Sequence, residues 1–366
     1  MNIHQLALTM INGVGSITAR QLLESLGSAE AVFSENPRLL ERIPGIGETT
    51  ASAIKDSGAL LKAEQELKFI EKNNIKCIFI EDKDYPKRLK ECNDAPLVLY
   101  YKGNADLNAK HIISIVGTRK ISDYGRNLTE NLIQGISEKF PDTLIISGLA
   151  YGVDVCAHRN ALKCGLPTVG VLAHGLDRIY PAVHRQTAIE MLDKGGLLTD
   201  FPSDTNPDRA NFLKRNRIVA GISEATIVVE SADKGGSLVT ADLAVSYSRD
   251  VYTFPGRTTD YNSKGCNNLI RKNKAGLITS AEDLIESLGW ETIFKQKETS
   301  LQTCFDFGLT EEQEAVLKVL CDEGEMHINA LSISLSMPVH KISSILFELE
   351  MNGKVRALPG NVYKYS

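Results

Sequence analysis

Short apolar runs alternate with helical patterns through the middle of the chain. Six runs, most of them dominated by Val and Ile, are typical of β-strands, and several are apolar throughout, as strands buried on both faces are. They span His111–Val116, Thr143–Ser147, Thr168–Leu172, Gly196–Thr199, Ala225–Glu230 and Asp250–Phe254. Stretches with helical spacing lie between them, at Gly125–Lys139, Val155–Lys163, His184–Lys194, Arg209–Ala220 and Leu238–Ser248. The alternation predicts an α/β fold with a doubly wound, mainly parallel sheet.

The first segment contains an internal repeat. The run Ile11–Ala19, INGVGSITA, recurs 32 residues later as Ile43–Ala51, IPGIGETTA, and apolar residues at helical spacing follow each copy. Glycines suit the sharp turns that need a positive φ, so each copy predicts a helix, a tight hairpin and a second helix. We expect a tandem helix-hairpin-helix domain over residues 1–80. Its hairpins could bind a DNA phosphate or could only pack helices, and Glu48 argues against the first use.

The C-terminal segment has its own pattern. Helices are predicted at Glu311–Cys321, Ile328–Leu335 and His340–Met351, and Gly353–Tyr363 is typical of a hairpin with a Pro-Gly-Asn turn. Three helices and a β-wing make a winged helix over residues 309–366. A polar stretch at 289–308 reads as a linker, which leaves residues 81–288 for the sheet domain.

Composition narrows the class of protein. The net charge of −5 excludes a bulk basic footprint for nucleic acid, so any DNA-binding surface must be a local patch. No apolar run reaches the length that a membrane span needs, and the N-terminus lacks the features of a signal peptide. Seven scattered cysteines without a C-x-x-C pair argue against a zinc site or a disulfide framework. We therefore expect a cytoplasmic protein with free thiols.

Familiar catalytic motifs are missing from the sequence. It has no Walker A pattern, no G-x-S-x-G and no H-E-x-x-H. Asp154 and His158 are four residues apart and could share a helix face as an acid/base or ligand pair. The alternative is an Asp at a helix start and a packed His, which we prefer because no further ligand has matching spacing. The sequence thus predicts a protein that is not an enzyme and that holds no cofactor or metal.

Three loops at the ends of predicted strands are suited to anions. Small residues there let the backbone approach a phosphate and present N–H groups at a helix start. The candidate residues are Gly117, Thr118, Arg119 and Lys120 after the first strand, Ser147 and Gly148 after the second, and Gly235, Gly236 and Ser237 after the fifth. Ligands in such folds sit at the carboxyl ends of the strands, so we expect these loops to form one site. Arg119 can hold a phosphate bidentately.

A predicted helix adds further cations to this site. Lys214, Arg215 and Arg217 lie within Arg209–Ala220, and Lys214 and Arg217 share a face because they are three residues apart. Phe212 precedes them and could stack on a base or pack in the core, and we expect core packing. Several glycine loops with flanking cations fit a polyphosphate chain better than a small substrate.

The order of these motifs resembles the DNA-processing protein A family, also called DprA or Smf. The resemblance lies in SIVGTR at Ser114–Arg119, SGLAYGVD at Ser147–Asp154, GVLAHGLD at Gly170–Asp177, FLKRNRIVAG at Phe212–Gly221 and GGSLVTA at Gly235–Ala241. With the flanking modules it covers nearly the whole chain. It implies an extended Rossmann-like fold between an N-terminal helix-hairpin-helix domain and a C-terminal winged helix.

The same resemblance implies a function. Members bind single-stranded DNA without strong sequence preference and load the RecA recombinase during natural transformation. Family contacts to the strand map to Gly117–Arg119 and to the Arg-Asn-Arg helix, which adds Asn216 to the candidates. Members form dimers through the end of the sheet domain, which here implies Asn267, Ile270, Leu277 and Ile278. This sequence has Asn273-Lys274 where many members have Gly-Ala.

Two other functions stay open. One is a phosphoribohydrolase-like enzyme that binds a nucleotide on a related fold, because the run Gly235–Thr240 after Glu230 partly resembles the loop of such enzymes. It lacks the leading Pro and the second Gly-Thr pair of that loop. The other is a duplex-DNA regulator that uses the winged helix. The acidic charge of that segment, with Glu348 and Glu350 on its third helix, argues against duplex binding.

Overall fold

The computed structural model describes residues 2–56, 58–290, 309–358 and 360–365. The chain forms two compact units, Met1–Thr292 and Ile293–Ser366. Residues 291–308, which make up most of the predicted linker, lie outside the described residues. The sheet domain that was predicted to begin at residue 81 starts earlier, because a strand at residues 76–79 already pairs with it.

Six helices open the first unit and confirm the predicted helix-hairpin-helix repeat. They are α1 (Ile3–Leu8), α2 (Ser16–Leu26), α3 (Ala29–Ser34), α4 (Pro37–Leu40), α5 (Glu48–Asp56) and α6 (Ala59–Lys72). The turns before α2 and α5 contain Gly13 and Gly45, whose φ angles of +83° and +82° lie in the region that favours glycine. Asn2 and Gln5 form a capping box at the start of α1.

A nine-stranded sheet forms the body of the first unit. Its strands are β1 (Lys76–Phe79), β2 (Val98–Gly103), β3 (Ile112–Val116), β4 (Leu144–Ser147), β5 (Thr168–Val171), β6 (Gly195–Thr199), β7 (Ala225–Val228), β8 (Asp250–Thr253) and β9 (Gly276–Leu277). Their order is β1-β2-β6-β5-β4-β3-β7-β8-β9. All neighbours from β6 to β9 are parallel, whereas β2 pairs with β6 and with β1 in antiparallel fashion. The mainly parallel sheet of the prediction is confirmed.

Helices cover both faces of this sheet. They are α7 (Lys87–Lys90), α8 (Asp123–Lys139), α9 (Val153–Lys163), α10 (Arg185–Lys194), α11 (Arg209–Ile222), α12 (Gly236–Ser246), α13 (Lys264–Arg271) and α14 (Ala281–Ser287), with 3₁₀ turns at Ala182–His184 and Tyr261–Ser263. Successive residues of β3 pack on opposite faces. Ile113 belongs to the core that holds Leu132 of α8, and Ile112 to the core that holds Ile218 of α11. Both faces of the central strands are therefore buried, which explains why their sequences are largely apolar.

Three strands of this sheet were not predicted. The strands β1 and β2 lie before the first predicted strand, and β9 has only two residues, both exposed. The strand β2 owes its place to long-range pairing, since Tyr100 stands opposite Thr199 of β6. The run Leu97–Tyr101 is apolar and aromatic, as strands are, but its partner so far along the chain leaves no local signal in the sequence.

The second unit has the predicted winged-helix topology. It contains α15 (Glu311–Glu323), β10 (Met326–His327), α16 (Ile328–Ser334), α17 (Val339–Met351), β11 (Val355–Leu358) and β12 (Val362–Tyr365). A small core that includes Val316, Leu331, Leu346 and Val355 holds the three helices and the wing together. Lys341 of α17 contacts Glu312, so that its charge is already paired within the unit.

Candidate nucleic-acid interface

The centre of the sheet contains a topological switch point. The strands β3 and β7 are neighbours there, and the chain continues from β3 towards β4 on one side and from β7 towards β8 on the other. Loops that leave such a pair in opposite directions open a crevice at the carboxyl ends of the strands, which is where α/β sheets bind ligands. The predicted loop Gly117–Lys120 follows β3 at this crevice, and the loop that leads to Gly235 follows β7.

The loop after β3 is held in one conformation by its neighbours. The amide of Thr118 donates to the carbonyl of Glu230 at 2.8 Å, and the carbonyl of Thr118 accepts from the amide of Val153 at 3.2 Å. Gly152 has a φ of +80°, and a Cβ there would lie 2.1 Å from the Thr118 oxygen. A Cβ at Gly117 would lie 2.5 Å from Val153. The glycines thus permit the β3 loop and the start of α9 to touch, and the crevice wall is preorganised.

Arg119 and Lys120 present the charge of this wall. Both are accessible to solvent, and in the part of the chain that the structure describes neither has an ion-pair partner within 4.0 Å. The guanidinium of Arg119 lies over the ring of Phe212, 5.2 Å from its centroid, and the ring of Tyr180 lies 6.1 Å from Phe212. Core packing was predicted for Phe212, and this was wrong. The ring is only half-buried and forms an aromatic surface beside a free cation.

The loop after β7 supplies backbone groups to the same crevice. The N-cap of α12 is Gly235, which has no side chain that could cap the helix. Backbone N–H groups of the first turn therefore point towards the crevice without a side-chain acceptor at the N-cap. Asn216 of α11 reaches the carbonyl of Gly236 at 3.5 Å, which joins α11 to this loop. Ser237 is buried, and its hydroxyl donates to that of Ser231 at 2.9 Å. Ser237 therefore shapes the loop, whereas Gly235 and Gly236 are accessible, as are Asp233 and Lys234 before them.

The loop after β4 is a support beneath the crevice. Ser147 is buried and its hydroxyl donates to the carbonyl of Ile115 at 2.6 Å. Gly148 is also buried, and a Cβ there would lie 2.0 Å from the guanidinium of Arg215. Both were predicted to contact DNA. Because both are buried, we assign them a structural role: they let Arg215 pack directly against the loop.

Arg215 differs most from the prediction. It was expected to face the ligand, but it is only 4% exposed, and its Nη1 donates to the carbonyl of Val171 at 2.6 Å. Burial lowers its pKa, and Asp154, also buried, counteracts this. In turn, burial raises the pKa of Asp154 and the charge of Arg215 lowers it. The two charges favour each other inside the protein, and the buried guanidinium of Arg215 has little surface with which to contact a ligand.

Lys214 and Arg217 face a different part of the molecule. On α11, Lys214 follows Phe212 by two residues and Arg217 follows it by five. Residues share a helix face when they are three or four apart, so neither side chain lies on the face of Phe212. With Gly15 and Ser16 of the first hairpin they line a cleft of about 460 Å³ between the N-terminal helices and the sheet. Lys214 is exposed there. Arg217 is paired with Asp200 at 2.6 Å and also bonds Ser16 at 3.3 Å. The structure thus separates them from the surface of Arg119.

The four residues implied in dimer contacts have unequal exposure. Ile278 is fully buried in the core beneath β8, so its side chain offers nothing to a second chain, contrary to the expectation. Asn267 is tied to Gly256, to which it donates at 2.9 Å. Ile270 is half-buried, and Leu277 on the edge strand β9 is 50% exposed.

The Asp154 and His158 pair is buried below the loop after β4. His158 has no exposed surface, and its Nδ1 lies 2.7 Å from the hydroxyl of Thr168. Burial lowers the pKa of His158 to about 3, so the ring is neutral at pH 7. Across the described ranges no group of three or more His, Cys, Asp or Glu side chains is arranged to hold a metal ion. This placement favours the packed histidine over an acid/base pair at the surface.

The described helices were also compared with the dimensions of a bilayer. None of them alone has the length and apolar character needed to cross one, although the sharply bent pair Ile328–Ser334 and Val339–Met351 meets the criterion by length and composition.

Comparison with known proteins places these features in a family. Residues 76–289 match the family model of the DNA recombination-mediator protein A, residues 6–57 match a SAM-like helix-hairpin-helix tandem, and residues 306–361 match the DprA winged helix domain. Protein Smf of Synechocystis is 34% identical over 288 residues, which is 78% of this chain and 72% of that protein. The DNA processing protein DprA of Bacillus subtilis is 40% identical over 215 residues, 58% of this chain and 71% of its own.

Two solved structures are similar as well. The crystal structure of DprA from Streptococcus pneumoniae superposes with a TM-score of 0.66 at 30% identity, and the match covers 78% of this chain and 98% of that one. A structure of DprA from Helicobacter pylori, whose subject is its single-stranded DNA binding mode, superposes with a TM-score of 0.53 at 29% identity. That match covers 58% of this chain and 95% of the other.

Proposed function

The chain belongs to the DNA recombination-mediator protein A family, and we propose on this premise that it binds single-stranded DNA at the crevice between β3 and β7. The observation that carries the proposal is Arg119, a cation without an acidic partner among the described residues, which lies over the ring of Phe212. Cations that follow the phosphates and aromatic rings that stack on bases are the two devices by which proteins bind unpaired strands. The single-stranded DNA binding mode described for DprA of Helicobacter pylori, a relative of this chain, supports the proposal.

The chemistry of the crevice suits a strand better than a nucleotide substrate. Backbone N–H groups and cations read phosphates, which carry no base identity, so sequence preference is weak. Glu230, whose carbonyl holds the β3 loop, accepts through its carboxylate from the amide and the hydroxyl of Ser122 and is 3% exposed. A carboxylate engaged in this way is not poised for attack on a glycosidic bond. We therefore propose a binding protein without catalytic activity, rather than a phosphoribohydrolase-like enzyme.

The roles of the predicted residues follow from their positions. Arg119, Lys120, Gly235 and Gly236 contact the strand directly, together with Gly117 and Thr118 of the preorganised loop. Ser147, Gly148, Arg215, Asn216 and Ser237 hold the loops. Lys214 and Arg217 contact the strand only if it extends into the cleft beside the first hairpin.

The test is fluorescence anisotropy with a labelled oligothymidylate and a duplex of equal length over a salt series. We expect a preference for the single strand. Arg119→Ala should weaken binding at least about tenfold, because a charge-assisted contact is worth roughly 1.5–3 kcal/mol, and should lower the log–log salt slope by about 0.7.

Lys110→Ala is the matched control for the loss of one unpaired positive charge. Lys110 is exposed and has no ion-pair partner within 4.0 Å among the described residues. It comes just before β3, so it lies at the edge of the sheet opposite to the crevice. Equal losses in the two variants, or a preference for the duplex, would contradict the proposed site. Release of free base from a nucleoside monophosphate would instead revive the enzymatic alternative.

The downstream role is also a proposal. We propose that the chain acts in the cytoplasm as a homodimer, with Leu277 and Ile270 at the interface, and passes the bound strand to RecA in natural transformation. The family supports this step. The corresponding assay is RecA filament formation on a single strand coated with a binding protein, with and without this chain. The oligomeric state follows from light scattering of the wild type and Leu277→Arg, in which a charge on the edge strand should reduce the mass.

A further inference from the structure

The loop after β8, residues 254–263, is bonded to both walls of the crevice. The side-chain amide of Asn262 donates to the carbonyl of Lys120 at 3.0 Å, and the carbonyl of Asn262 accepts from the amide of Ser231 at 2.7 Å. On the outer side, the hydroxyl of Tyr124 donates to the carbonyl of Pro255 at 2.8 Å. These bonds join the β8 loop to the β3 and β7 loops, so it continues the surface that begins at Arg119.

Tyr261 is the most prominent side chain on this loop. It is 71% exposed, and in the ranges that the structure describes its ring has no aromatic or cation–π partner. It sits in the 3₁₀ turn next to Asn262, whose bonds hold the turn in place. An apolar ring that is exposed on a well-anchored turn has contact area available at low entropic cost, since the backbone beneath it is already ordered.

The charges around Tyr261 resemble those around Phe212. Lys120, Arg257 and Lys264 are exposed, and no ion pair within 4.0 Å engages them among the residues described. Three exposed acids lie in or next to these loops. Asp123 is 3.8 Å from Arg126, Asp233 accepts from the side-chain amide of Asn268 at 2.8 Å, and Asp260 follows Arg257 by three residues. Lys234 of the β7 loop is a fourth exposed cation without an ion pair among the described residues, so four such cations stand against the two acids Asp233 and Asp260. The local balance is positive although the chain as a whole is acidic.

We propose that Tyr261 forms a second base-stacking platform, and that the bound strand runs across the carboxyl edge of the sheet from Phe212 and Arg119 to Tyr261. This deepens the proposed function and rests on it. The strand β7 lies between β3 and β8, so the ends of β3 and β8 are two strand spacings apart, about 10 Å, and their loops meet where Asn262 bonds Lys120. Lys120 and Arg257 hold the phosphates between the two platforms. The path crosses the strands of the sheet and does not follow the axis of α11.

The proposal is tested by anisotropy with an oligothymidylate of about 16 nucleotides, the upper range for single-strand binding modules. Stacking on an aromatic side chain is worth roughly 1–3 kcal/mol per base, so Tyr261→Ala should weaken binding about 5- to 150-fold. Tyr261→Phe keeps the ring and should bind like the wild type. Tyr365→Ala, which removes an exposed tyrosine of the second unit, is the control for loss of a surface ring.

A fluorescent side chain reports the contact directly. The chain has a single tryptophan, Trp290, which is 6% exposed in the core. In Tyr261→Trp the new indole is exposed, and stacking of a base should quench its emission when the oligothymidylate is added, beyond any change in the wild type. Because Tyr261 is on the surface, the variants should keep the thermal unfolding midpoint of the wild type.

The outcomes separate this inference from the proposed function. Weak binding by Tyr261→Ala with rescue by Tyr261→Phe, and quenching in Tyr261→Trp, support the path. If Tyr261→Ala binds with an affinity within about twofold of the wild type while Arg119→Ala loses about tenfold in affinity, the strand takes another path and the inference is wrong. The proposal that the crevice binds single-stranded DNA would not be affected by that result. If the wild type does not bind the single strand, both fail.

Discussion

The buried Arg215 provides a test of how the crevice is supported. In the variant Arg215→Met the aliphatic length is kept and the charge is removed. The guanidinium donates to the carbonyl of Val171 at 2.6 Å, and its charge counteracts the burial of Asp154. The variant therefore leaves a buried carbonyl without its donor and a buried carboxylate without its compensating charge, and both changes act on the folded state alone.

The size of the effect follows from these two losses. A buried acceptor that loses its donor costs about 1–3 kcal/mol. Removal of one member of a buried pair of charges costs about 3–5 kcal/mol in all, because the other charge stays buried. We expect the free energy of unfolding to fall by about 3–5 kcal/mol at pH 7. Arg119→Ala, which removes an exposed charge, should change it by less than about 0.5 kcal/mol.

The dependence on pH gives a second signature. Burial already holds the pKa of Asp154 above its usual value, and loss of Arg215 raises it further. A carboxyl whose folded-state pKa is above the unfolded value contributes stability at low pH and loses that contribution as the pH rises through the folded-state pKa. The difference between the variant and the wild type should therefore be smallest in acid and grow towards pH 7. It should become independent of pH in Arg215→Met with Asp154→Asn.

The assay is urea unfolding followed by the fluorescence of Trp290. This residue is the only tryptophan, and it packs against His111 at 4.2 Å between ring centroids, so its emission reports on the first unit. Unchanged stability of Arg215→Met together with loss of single-strand affinity would refute the reasoning. That result would mean that the guanidinium reaches the ligand, as the sequence had predicted.

Three further predictions concern the loops and the buried polar groups. Gly152→Ala places a Cβ 2.1 Å from the Thr118 oxygen at a φ of +80°, and we expect a loss of at least about 1–3 kcal/mol in urea unfolding together with weaker DNA binding; wild-type stability would mean that the loop can relax. Glu66 is 5% exposed and accepts from the amide and the hydroxyl of Ser203, so Glu66→Ala leaves two donors unpaired, at about 1–3 kcal/mol each. Hydrogen exchange should accelerate at residues 200–206, and unchanged rates would contradict this link between α6 and the sheet. The pKa of His158 is about 3 in the folded protein, below the value of about 6.5 for a free histidine. The free energy of unfolding should therefore fall as the pH falls below about 6.5, because His158 becomes protonated in the unfolded chain but not in the folded one. This dependence on pH should be weaker in His158→Gln. A titration of His158 by NMR with a midpoint near the value of a free histidine would exclude this account.

Much of the architecture was determined by local patterns in the sequence. Mostly apolar runs such as His111–Val116 predicted strands that are buried on both faces, and helices between them required parallel pairing. The repeated glycines predicted two hairpins, since Gly13 and Gly45 occupy positive φ. The position of the crevice followed in the same way, because loops after parallel strands gather at one edge of the sheet. Arg119, in the loop after the central strand, is exposed at that edge, and its contact with DNA stays a prediction.

Only the tertiary structure decided which cations the crevice contains. Lys214, Arg215 and Arg217 lie within four residues, yet one is exposed at the cleft, one is buried against Val171, and one is paired with Asp200. Helical spacing tells which side chains share a face, but it does not tell what each face meets. The partners Val171, Asp154 and Asp200 come from other elements, and the burial of a charge depends on them. The same holds for the pairing of β2 with β6 and for the surface of Phe212, because long-range contacts have no local signature in the sequence.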